Sequence, residues 1–208
     1  MESVDAERFP RLARYLAVVP RGLAAYPECS VARHAFDPYR RDHGALAAAD
    51  GLPRRVRALY APDAALPEWL PEVEFQAAVL AARDAYSGTD EAFCRWVGTI
   101  TAESFDNPVL RTLMRLVSPS LVVLGAARRW TMFHRGSELT TEPQEPLGAR
   151  SRSLATLRYP EALFSEFCAQ ALAAAFEATA RSSRGTHVLV RLIAYSSTQC
   201  RFDVSYRS

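Results

Sequence analysis

The sequence predicts an α+β fold: an N-terminal helical cap on a four-stranded antiparallel sheet with a long crossing helix, in the order helices-β-β-α-β-β. Three observations predict it. Before residue 130, apolar residues recur mostly at spacings of three and four, as on helices with one buried face. From Thr131 the pattern alternates, as on a strand. Between the two pairs of alternating segments lies Glu161–Arg181, where Leu163, Phe164, Phe167, Cys168, Ala171, Leu172, Ala175 and Phe176 mark one helical face. A chain of 208 residues, 49% of them hydrophobic, is long and apolar enough to bury one core. Residues 1–208 therefore read as a single domain, with 1–129 mainly helical and 130–208 carrying the β-β-α-β-β portion.

A first helix is expected near Arg11–Val19, ended by Pro20, which lacks the amide donor a helix needs. Asp50-Gly51 is a turn signal, and Pro53 can start a short basic helix, Arg54–Tyr60. Residues 61–71 hold three prolines and read as an ordered connection, because Leu66, Trp69 and Leu70 favour burial. Glu72–Tyr86 is a helix with Val73, Ala77, Leu80 and Ala81 on one stripe, ended by Ser87-Gly88. Thr89-Asp90-Glu91 caps the next helix, which Asn107-Pro108 ends.

The stretch Leu110–Pro160 is the expected junction between cap and sheet. A helix over Val109–Val117 stops at Ser118-Pro119, and the following SLVVLGAARRW is apolar almost all round, so it is expected in the interior. Gly125-Ala126-Ala127 would let another backbone or a ligand approach closely. After Trp130 a strand places Met132 and His134 on one face and Thr131, Phe133 and Arg135 on the other. TTEPQEPLG reads as a long hairpin loop, and the second strand ends at Tyr159 before Pro160. A final hairpin turns at Ser196–Gln199, and its last strand points Cys200, Phe202, Val204 and Tyr206 inward.

Composition excludes several chemistries. All 25 basic residues are arginine, which looks like the bias of a GC-rich bacterial genome and removes Schiff-base, lysine-base and phosphate-loop lysine chemistry. Net charge is +2 with basic and acidic residues interspersed, so the dense basic face that nucleic acid rewards is not expected. Cys29, Cys94, Cys168 and Cys200 are isolated and fit no zinc spacing. His34, Asp37, Asp42 and His43 lie close in sequence, but Pro38 separates the histidines onto different segments, so no metal is expected. With no apolar run long enough to span a bilayer and an acidic N-terminus, the expectation is a reduced, cytoplasmic protein.

The element order over roughly the second half of the chain resembles the ligand-binding fold shared by haem–nitric-oxide-binding sensors, vinyl-reductase-type bacterial sensor domains and TRAPP tethering subunits. The phrases GLAAYP (Gly22–Pro27), WLPE (Trp69–Glu72), FHRG (Phe133–Gly136) and LRYP (Leu157–Pro160) are also similar to those of uncharacterised delta-proteobacterial proteins of the myxobacterial type. The first resemblance implies a ligand-binding or sensor role. Haem is not expected: the haem-binding members use Tyr-x-Ser-x-Arg, whereas Tyr195-Ser196-Ser197 here meets its arginine two positions late, at Arg201. No cofactor is assigned, and the cysteine-rich vinyl-reductase variant is not matched either.

The candidate ligand-binding residues are Arg128, Arg129, Trp130, Met132, His134 and Tyr159, around the helix–strand corner. The first expectation is a non-enzymatic module binding a small apolar or anionic ligand. The second is an enzyme with His134 as general acid or base, although no nucleophile elbow lies near it. The third is a dimeric scaffold using Cys200–Arg207 as a sheet edge. Adjacent Arg128 and Arg129 diverge by about a hundred degrees on a helix, so one can be buried. A buried guanidinium needs an anion, and Glu72, Glu74 and Asp84 are its expected internal partners.

Overall fold

The computed structural model describes residues 3–103, 119–183 and 186–207. The expected helix Val109–Val117 and the stop at Ser118 lie outside the described residues. Helices are α1 (Pro10–Val18), α2 (Asp37–Asp42), α3 (Arg54–Tyr60), α4 (Glu72–Ala85), α5 (Asp90–Glu103), α6 (Pro119–Leu124), α7 (Ala126–Phe133) and α8 (Glu166–Arg181). Strands are β1 (Ser30–Ala32), β2 (Trp69–Pro71), β3 (His134–Arg135), β4 (Glu138–Leu147), β5 (Arg150–Arg158), β6 (Thr186–Tyr195) and β7 (Gln199–Arg207). The fold is α+β, with antiparallel sheets ordered β2-β1-β3 and β4-β5-β7-β6.

The buried apolar side chains form one cluster, from Phe9 in the helical half to Tyr206 in the last strand. Helix α4 is its axis. Burial covers Glu72–Glu74 and Gln76–Arg83, because α1, α3, the short sheet and α8 surround it. The alanines at 77, 78, 81 and 82 allow that crowding, since they bring neighbouring backbones close without overpacking. Helix α8 lies between α5 and β6, and its N-cap is Ser165, whose hydroxyl accepts from the Cys168 amide at 3.1 Å.

Several expectations are corrected. The small three-stranded sheet is absent from the sequence reading, because strands of two and three residues are too short to show alternation. The helical period does not stop at Trp130: α7 continues to Phe133, since Ala126, Trp130 and Phe133 share a face at spacings of four and three. The apolar segment before it is not one helix, because Gly125 separates α6 from α7. The expected TTEPQEPLG loop is mostly strand. Its Pro143 and Pro146 are tolerated because β4 is a sheet edge with a register shift between Gln144 and Leu147. The α8 helix starts at Glu166, not Glu161, because Ala162 takes a φ of 58°. The preceding turn is pinned instead by Tyr15 Oη donating to the Leu163 carbonyl and Tyr195 Oη donating to that of Phe164, both at 2.8 Å. Finally, β7 is no edge. It pairs with β5 and β6 on its two sides, its inward Cys200, Phe202, Val204 and Tyr206 all buried. The free edges are β4 and β6.

Two buried polar groups outside the helix–sheet junction have measurable consequences. Asp84, with no exposed side-chain surface, accepts from the Arg11 and Leu12 amides at 2.9 and 3.1 Å and pairs with the Arg11 guanidinium at 3.3 Å. It thus caps α1 from α4, where Phe9 offers no capping side chain. Asp84→Ala is expected to lower the unfolding free energy by about 2–4 kcal/mol, and Asp84→Asn by less, because its amide oxygen can still accept. Denaturant titration measures both. His43 sits among Tyr86, Phe93 and Trp96, and among the described residues its buried Nε2 has no hydrogen-bond partner. Burial lowers its pKa below the ordinary 6.5, against the opposing charge of Asp42. The unfolded chain then takes up the proton first, so stability falls as pH drops below 6.5. His43→Phe is expected to flatten that dependence between about pH 7 and 5 in thermal melts.

Candidate functional site

The short sheet creates the site. Because β1 lies between β2 and β3, its Ser30 is opposite Pro71 on one side and Arg135 on the other. The start of α4 therefore lies one strand away from His134. Glu72 is the first residue of α4, and its amide donates to the Cys29 carbonyl at 3.0 Å. Its carboxylate has no exposed surface; Oε1 accepts from Gln76 Nε2 at 2.8 Å and Oε2 bonds His134 Nδ1 at 2.9 Å. Two partners and the positive end of a helix hold the anion where water cannot.

This pairing fixes the imidazole. A carboxylate only accepts, so His134 Nδ1 carries a proton and the neutral ring has its lone pair at Nε2. No described residue hydrogen-bonds to Nε2. The ring also stacks on Trp130, centroids 3.7 Å apart and planes within 6°, while Trp130 Nε1 donates to Ser137 Oγ at 3.0 Å. Gly136 makes the turn after β3 possible. Its φ is +76°, and a Cβ there would lie 2.4 Å from Cys29 Sγ. Only glycine tolerates both conditions.

Beside this cluster is a cavity of about 450 Å³, bounded by α4, α5, α6, α7, α8 and the inner face of the larger sheet. Its walls are mostly carbon: Phe75, Val79, Ile100, Val123, Leu139 and Phe176 are representative. Ala171 and Ala175 on α8, and Ala155 on β5, leave the space that larger side chains would fill. His134, Trp130, Gln76 and Arg129 supply polarity at its wall. Cys168 also lines it, but burial pushes its thiol up to about 12, so it is no thiolate nucleophile at neutral pH.

The expected site residues separate into two sets. Arg129, Trp130 and His134 line the cavity together. Arg128 is exposed, Met132 is 64% exposed, and Tyr159 is away from the cavity, its Oη donating to the Ser196 carbonyl at 3.0 Å. The expected pairing of a buried arginine with Glu72, Glu74 or Asp84 is corrected: those carboxylates pair with His134, Arg55 and Arg11. Sequence reasoning missed Gln76, Phe133 and the α8 alanines as cavity residues. The alanines carried a signal, since Ala171 and Ala175 are one turn apart on an otherwise bulky face.

Among the described residues, no group of three or more histidine, cysteine or acidic side chains is placed to hold a metal ion. No described helix is long and apolar enough to cross a membrane. The arrangement offers an oriented imidazole, a half-buried guanidinium and an apolar volume. Glu72→Ala is expected to lower stability by about 3–5 kcal/mol, as removing one member of a buried pair does. His134→Phe, which retains an aromatic ring against Trp130 but leaves the buried Glu72 carboxylate to Gln76 alone, is expected to cost at least as much. A double-mutant cycle by denaturant titration should give a coupling of at least about 1 kcal/mol between Glu72 and His134.

Comparison with protein families, with characterised proteins and with solved structures finds no match to this chain.

Proposed function

We propose that this protein is a small-molecule-binding module whose ligand occupies the cavity at the helix–sheet junction, consistent with a sensor-type or carrier role. The observation that carries this reading is the cavity itself: about 450 Å³ of mostly apolar volume, partly open to solvent and walled by residues of the core. Side chains that line an apolar opening lose the burial and contact that close packing gives the rest of the core, and an apolar occupant restores both. Water is a poor occupant, because each buried molecule needs two to four polar partners and these walls provide few. An apolar ligand with one polar end satisfies both constraints, and the size falls within the range of small-molecule sites.

A second reading has one specific observation behind it. The Glu72–His134 pair presents an imidazole with Nδ1 anchored and Nε2 unpartnered, the arrangement of a general base. It lacks a nucleophile, since no described serine, threonine or cysteine bonds to Nε2. Binding is therefore the better-supported function.

Native mass spectrometry of the freshly purified chain, followed by solvent extraction, tests the reading. A retained small molecule of apolar character is expected, and Ala171→Leu should reduce its occupancy while leaving the chain folded. A ligand at a hundred times its Kd should add about 2.7 kcal/mol to stability, visible as a rise in Tm. A protein that retains nothing and gains no stability from apolar ligands would end the binding reading. Turnover lost in His134→Gln with Tm unchanged would favour the enzyme instead.

A further inference from the structure

We infer that the cavity takes an amphipathic monocarboxylate, an acid with an apolar tail, whose headgroup is held by Arg129. This inference rests on the binding reading above and specifies its ligand. Arg129 lies on α7 one turn before Phe133, half-buried, with its side chain in the cavity wall. Its Nη2 donates to the Val122 carbonyl, and it forms no ion pair with any carboxylate among the described residues. The three acids that the sequence offered as its partners are committed elsewhere. Glu72 is held by His134 and Gln76, Glu74 by Arg55, and Asp84 by Arg11 and the α1 amides.

A guanidinium in such a place is unusual. Taking it out of water is unfavourable, and one carbonyl satisfies one donor without neutralising the charge. Burial alone lowers its pKa, with no acidic group opposing that shift. The backbone also makes room for it: a Cβ on Gly125 would come within 3.1 Å of Nη1. The glycine at the α6–α7 joint thus leaves both the guanidinium and the Leu121 carbonyl in close contact beside an apolar cavity.

The charge and shape select the head. With one Nη2 hydrogen engaged, the second still pairs with a neighbouring nitrogen, Nε or Nη1, in a planar fork that matches a carboxylate. A single guanidinium balances one negative charge; a phosphate dianion would bring a second charge into the same apolar surroundings with no described cation paired to it. The carbon-lined walls then receive the tail, for which Phe75, Val79, Leu139 and Phe176 give contact area.

The experiment uses the purified full chain and titrates it by calorimetry with dodecanoate and with methyl dodecanoate, which shares the tail and lacks the charge. Wild type is expected to bind the acid about tenfold or more tightly than the ester, the scale of one charge-assisted hydrogen-bonded pair. Arg129→Met should abolish the preference while binding the ester as wild type does, and Arg128→Met should leave the preference intact. Arg129→Gln provides the same comparison if the methionine variant fails to fold. Equal wild-type affinity for acid and ester, or a preference that survives in both Arg129 variants, overturns the carboxylate assignment and leaves an apolar cavity standing. Binding of neither compound by folded wild type overturns the cavity reading itself.

Discussion

A carboxylate with no exposed surface must be partnered, and Glu72 satisfies that requirement by joining segments distant in the chain. It opens α4, receives Gln76 from one turn along the same helix, and receives His134 from the end of α7. The α4 terminus, the short sheet and the α7–β3 corner therefore cannot shift independently without leaving a buried charge unpaired, which is among the costlier defects a core can have. The imidazole gains a fixed proton on Nδ1, Trp130 gains a stacking partner, and α7 is held so that Arg129 and Phe133 face the same cavity as His134.

The packing around this anchor is uneven in a consistent way. Helix α4 is close-packed through alanines that let neighbouring backbones approach. On α8 and β5 the same residue type does the reverse: Ala171, Ala175 and Ala155 border open volume, because no neighbour comes in to use the space. Small residues that shorten helix–helix distances stabilise a core, whereas small residues around a void leave dispersion contacts unmade.

How much of this was legible in the sequence follows from the length of each signal. Helices α4, α5 and α8 and the last two strands repeat their period often enough to be read, apart from a five-residue error where Ala162 takes a positive φ before α8. The short sheet was invisible, since its longest strands have three residues. The TMFHR segment was misread as strand because alternation over so few residues also fits a helix end. The prolines of β4 argued for a loop when an edge strand accommodates them. The candidate site was partly legible: its corner was found, but not which side chains turn toward one another. Four short phrases nevertheless pair off in space. WLPE contributes Glu72 and FHRG contributes His134. GLAAYP contributes Tyr26, whose Oη donates at 2.8 Å to the carbonyl of Glu161, just after LRYP.

The distinction between His134 and Arg129 decides how the site is understood. Both were read from sequence as candidates, and both lie in the cavity wall, but their charges are handled in opposite ways. His134 is saturated on its Nδ1 side by an internal carboxylate, so its role in holding the fold is complete with Nε2 unused. Among the described residues Arg129 has a carbonyl where a carboxylate would be expected, and each acid anticipated as its partner serves another group. Folding alone accounts for the histidine; it does not account for the arginine. The incomplete charge therefore lies with Arg129, next to a volume that the described residues leave unfilled, and the proposed ligand, with an acidic head and an apolar body, would complete both.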